Sequence, residues 1–151
     1  MCLFPEIFQR NLMMSEAFNG VWVIENASSS WSDGNFPPDM RLKLWLTFRD
    51  GRLVYHSEND TDKSQPVRTL DYDTPLTGEV SPLRGSTRFD SVRVRQISER
   101  EFEILEMLGD DVIVAAYWRF SDDAKNLWRW GVGKSPEGRS RSYEELFIRQ
   151  D

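Results

Sequence analysis

A single cysteine, Cys2, and a single histidine, His56, leave the chain without the material for a disulfide or a Cys/His zinc site, so neither a staple nor a metal is expected. Long apolar runs are missing as well. The longest, Val112 to Trp118, covers seven residues, where a membrane span needs roughly 20. Positive charge is in deficit: 19 Lys and Arg stand against 25 Asp and Glu, for a net charge of −6, which disfavours nucleic acid or anionic lipid as the partner. No basic n-region opens the sequence, and Pro5, Glu6, Gln9 and Arg10 interrupt its first apolar residues. No secretory signal is read there, and the cytoplasm is the expected compartment.

What is abundant is aromatic surface. Six Trp, nine Phe and four Tyr make up 13% of 151 residues, more than a core of this size requires, which points to a flat or hydrophobic ligand. The length allows one domain of ordinary size.

From Phe18 onward apolar residues recur at period two in short blocks separated by turn formers, the pattern of antiparallel β structure. Met40 to Arg49 is the clearest block, with every even position apolar. Asp50-Gly51 then suits a tight hairpin into Arg52 to His56, because both central residues must take positive φ. Similar blocks at Phe18 to Glu25, Thr69 to Asp73, Phe89 to Ile97, Phe102 to Leu108, Val112 to Phe120, Leu127 to Gly133 and Tyr143 to Arg149 bring the count to nine. Short polar connections join most of them, so the expectation is all-β: a single up-and-down antiparallel barrel of eight or nine strands over residues 18–151. Ala27 to Asp39 and Thr74 to Arg88, rich in Ser, Pro, Gly and Asp, read as rim loops or lids. Leu3, Phe4, Ile7, Phe8, Leu12 and Met13 fall at helical spacing, and residues 1–17 read as a short helix plugging one end of the barrel.

Phe18-Asn19-Gly20-Val21-Trp22 resembles the Gly-x-Trp signature that opens the first strand of lipocalins and their calycin relatives. Tyr143 to Arg149 resembles their closing strand with its basic residue, and the stretches Tyr72 to Pro82 and Phe120 to Gly138 are similar to small bacterial lipocalin-like domains. The resemblance implies that Gly20, Trp22 and Arg149 form a structural signature, with Arg149 packed across the Trp22 ring at the barrel base. It also implies two functions that one fold can host. One is binding of a small hydrophobic or aromatic molecule in the barrel; the other is a cofactor-free cyclase or isomerase acting on a polyene, polyketide or terpenoid-like substrate.

Tyr55, Tyr72, Tyr117, Trp118, Trp128, Arg129 and Trp130 are the candidate ligand-binding residues. Register decides among them. In one register Trp128 and Trp130 enter the barrel; in the other Leu127, Arg129 and Gly131 do, placing a guanidinium where it could hold a carboxylate or enolate. For acid–base work the candidates are His56, which titrates nearest neutrality, then Glu145 and Asp73 on short strands. Gly131-Val132-Gly133-Lys134-Ser135 resembles the end of a phosphate loop, but position 128 is Trp rather than the first Gly, so no nucleotide cofactor is expected. A third reading is a homodimeric structural module joined through outward Trp45 and Trp118.

Overall fold

The computed structural model describes residues 15–135 and 137–151. Ten strands wind in sequence order, each antiparallel to the next: β1 (Gly20–Trp31), β2 (Leu42–Arg49), β3 (Arg52–Asn59), β4 (Arg68–Pro75), β5 (Ser81–Arg84), β6 (Ser91–Gln96), β7 (Glu101–Leu108), β8 (Asp111–Phe120), β9 (Asn126–Lys134) and β10 (Ser140–Gln150). Pairing of β1 with β10 closes the sheet into one barrel, which leaves no unpaired edge.

The count is ten rather than eight or nine. The extra strand, β5, lies inside the stretch read as a rim loop, and only Ser81 and Leu83 mark its inner face. Two residues are too few to display a period. The other supposed loop is also partly ordered, since β1 continues to Trp31 past an irregularity between Glu25 and Ser30. The expected helix falls almost wholly outside the described residues, and its described end is a single 3-10 turn, Glu16–Phe18. The Asp50-Gly51 hairpin has φ of 53° and 74° at its two central residues, the geometry that joins strands of right-handed twist.

One end of the barrel is packed solid. Phe18 stacks on Phe120 at 4.1 Å between ring centroids, and Trp22, Phe48 and Phe102 meet Phe120 edge-on. Trp22 is fully buried, donates its indole N–H to the Phe18 carbonyl at 3.1 Å, and has the Arg149 guanidinium 6.0 Å from its ring. Arg149 in turn donates to the carbonyls of Ala17 and Asn19, at 2.9 and 2.6 Å. It crosses directly over Gly20, where an added Cβ would lie 3.1 Å from its Nε. That close approach gives the glycine of the Gly-x-Trp pattern a physical reason.

Candidate functional site

Above the packed base the inner wall changes character, and pairing shows how. Directly opposed residues on neighbouring antiparallel strands share a face, and one row across the barrel reads Phe102, Trp118, Arg129, Glu145 on β7 to β10. Phe120 pairs with Leu127 and both are fully buried, which sets the register that sends Arg129 inward. Arg129 donates from Nε to Glu145 Oε1 at 2.9 Å, and the Trp31 indole donates to Glu145 Oε2 at 3.4 Å. Burial is the largest single influence and depresses the guanidinium's pKa, but Glu145, Tyr55 and Tyr143 together more than offset it and the net direction is upward.

The lumen here is a cavity of about 320 Å³, open at the end opposite Trp22, and its lining includes Arg129, Glu145, Glu106, Tyr55, Tyr143 and Arg88. A recess of about 20 Å³ continues inward between Tyr55, Tyr72, Trp118 and Arg129, room for one water. Tyr55 and Tyr72 stack at 4.6 Å, and burial raises the pKa of both and of Tyr143. These phenols are neutral donors at physiological pH. Burial also raises the Glu106 carboxyl, opposed by Arg129 and Arg88. Desolvation lowers Arg88, whose Nε is buried without a hydrogen-bond partner among the described residues. Around the opening, Arg68, Lys134 and Arg141 add positive charge on an otherwise acidic protein, which favours approach of an anion.

The candidate residues divide between the two faces. Tyr55, Tyr72, Trp118 and Arg129 face the lumen. Tyr117, Trp128 and Trp130 lie on the outer wall, 42%, 37% and 40% exposed, because the register that buries Leu127 turns its neighbours out. They line a trough outside the barrel. Trp118, 2% exposed, is a core residue and has no surface to offer an interface; Trp45 faces outward beneath Lys43 and beside His56.

Of the three acid–base candidates only Glu145 reaches the cavity. Asp73 is outside, paired with Arg52 at 2.8 Å. His56 is also outside, with Nδ1 2.6 Å from Asp71 and Nε2 2.9 Å from Glu58. Both nitrogens can donate only in the imidazolium form, and the Glu58 contact leads in raising the His56 pKa, with desolvation opposing and Asp71 adding. A raised folded-state pKa stabilises the fold fully below the ordinary value of 6.5 and loses that contribution as pH climbs through the elevated one. Thermal melts of the native protein and His56→Gln should therefore differ most in mild acid and converge in alkali. A constant gap across the series would remove this role.

Glu106, Arg88 and Tyr143 were not among the sequence candidates. For Glu106 a signal existed: it continues the inward series Phe102, Ile104 at period two. Tyr143 likewise leads the series Glu145, Phe147. Arg88 sits in irregular chain before β6 and carries no periodic signal.

The ten-stranded closed barrel with a cavity at one end defines a calycin-like fold. No protein-family model matches the chain, and no curated protein does. Among solved structures, zebrafish ileal bile acid-binding protein complexed with cholic acid is similar, with a TM-score of 0.58 over 89% of this chain and 99% of that one at 13% identity. At that identity the likeness concerns the fold. Among the described residues no helix is long and apolar enough to cross a membrane, and no cluster of ligating side chains could hold a metal ion.

Proposed function

We propose that the barrel binds a small hydrophobic molecule bearing one anionic group, with the apolar body against Tyr55, Phe89, Leu70 and Val114 and the anion at Arg129. The observation that carries this is a guanidinium only 16% exposed that lines a cavity of about 320 Å³, with its Nε on Glu145 and Tyr55 beside it. A fork of five donors, with Nε engaged by Glu145 and Tyr55 also in its reach, still retains donors for a carboxylate or enolate. The bile acid-binding protein of similar fold holds an acidic, largely hydrophobic molecule, cholic acid, and the Gly20-Val21-Trp22 and Arg149 pairing supports a lipocalin-like reading of the barrel. Binding is favoured over acid–base turnover because His56 and Asp73 lie outside the cavity and Glu145 is tied to Arg129.

The test is a titration with 8-anilinonaphthalene-1-sulfonate, read by its own emission and by energy transfer from tryptophan, followed by displacement with cholate, dodecanoate and dodecanol. Saturable one-to-one binding is expected, with the two carboxylates displacing the dye far better than the alcohol. If no probe saturates, or the alcohol competes equally well, the anion-binding reading fails.

A further inference from the structure

Glu106 occupies an unusual position for a carboxylate. It lines both the cavity and the recess beneath it, yet makes no hydrogen bond or ion pair with any described residue, while Glu145, the other cavity carboxylate, is bonded to Arg129 and Trp31. Its strand neighbours in register are Val92 on β6 and Val114 on β8, which offer neither charge nor donor. The charged groups acting on it are Arg129 from β9, Arg88 from the chain before β6 and Glu145 from β10. The phenols of Tyr55, Tyr72 and Tyr143, on β3, β4 and β10, also feel its charge, and burial keeps them protonated.

Inside the rim cations Arg68, Lys134 and Arg141, the charged groups acting on Glu106 are the guanidiniums of Arg129 and Arg88 and the carboxylate of Glu145, so with all four charged this inner set is balanced. A singly charged anion seated at Arg129 leaves that inner set net negative, with the unpartnered Glu106 carboxylate beside it, which is costly where the ligand displaces water. Balance returns if one carboxylate becomes neutral, and the one without a partner is Glu106.

We propose that Glu106 sets the charge the site accepts: a mono-anion enters the field of Arg129 and Arg88 together with one proton, taken from solvent onto the Glu106 carboxylate. The neutral acid then gains an O–H that can donate to the ligand. Glu106 is thus a specificity residue that makes the cavity select singly charged anions and hold them more tightly in acid. Its raised pKa, caused by burial, acts in the same direction. This inference rests on the anion-binding reading above.

The experiment uses 8-anilinonaphthalene-1-sulfonate, whose sulfonate keeps its charge from about pH 5 to about pH 9, so that any pH dependence belongs to the protein. In the wild type, affinity should fall by up to about tenfold per pH unit once Glu106 is ionised in the free protein. Calorimetry in buffers of different ionisation heat should count about one proton taken up per dye in that range. Glu106→Gln should bind with flat affinity and no proton uptake, which separates Glu106 from His56 on the outer wall. Saturable binding without pH dependence or proton uptake in the wild type overturns the inference and leaves anion binding standing. Affinity that rises with pH, or a pH dependence retained in Glu106→Gln, also overturns it. Absence of saturable binding at every pH removes both readings. If Glu106→Gln does not fold, the wild-type proton count decides alone.

Discussion

Trp22→Ala is expected to destabilise the barrel by about 3–5 kcal/mol, the range for emptying a large aromatic site in a core. The indole is fully buried and meets Phe120 at 5.2 Å, and its loss also takes away the donor to the Phe18 carbonyl and the surface that Arg149 covers. No backbone motion at the base can refill that volume cheaply, because β1 is paired on both sides at this level, to Leu44 and to Arg149. Denaturant unfolding should show the midpoint shift, with an unchanged slope marking loss of stability rather than of compactness. Trp22 lies beneath the cavity and not in its lining, so whatever fraction remains folded should bind the dye normally. A stable Trp22→Ala protein with impaired binding would assign Trp22 to the ligand instead.

The second large effect is expected at Arg129. Arg129→Ala leaves the Glu145 carboxylate buried without its cation, and breaking a buried pair from one side costs about 3–5 kcal/mol. The pair's side chains are 16% and 6% exposed, so solvent does little to rescue the orphan. The double variant Arg129→Gln/Glu145→Gln replaces two charges by two amides of similar shape and should recover most of that stability. It should nevertheless bind carboxylate probes about ten- to a hundredfold more weakly, the loss expected for a hydrogen bond to a charged group. Stability and binding are thereby separated. Arg129→Ala unfolding at the wild-type midpoint would show that the pair contributes nothing, and full carboxylate affinity in the double variant would move the anion site elsewhere.

Much of the barrel was legible in the chain itself. Nine of the ten strands announce themselves because most of their positions alternate between the core and the solvated face, and a strand written that way shows its period wherever it runs for six residues or more. The Asp50-Gly51 turn was legible because its geometry depends on neighbours close in sequence, whereas the Gly20-Trp22-Arg149 base was an expectation drawn from the resemblance to calycins. β5 escaped because four residues cannot establish alternation, and Arg88 escaped because irregular chain has no period at all.

The sequence by itself determined that the chain closes into an antiparallel barrel with an aromatic core and neither a disulfide nor a Cys/His zinc site. Only the tertiary structure decided which side of β9 faces inward, and with it whether two tryptophans or one arginine stand in the lumen. Leu127-Trp128-Arg129-Trp130 alternates aromatic and non-aromatic residues, so each of its faces could be buried when the strand is considered alone. The choice fell to strands far away in the chain: Phe120 pairs with Leu127, and Trp118 and Glu145 flank Arg129. The same long-range pairing gathers Glu106, Arg88 and the three tyrosines around Arg129. A binding cavity is assembled from one or two residues per strand, and no local stretch of sequence contains it.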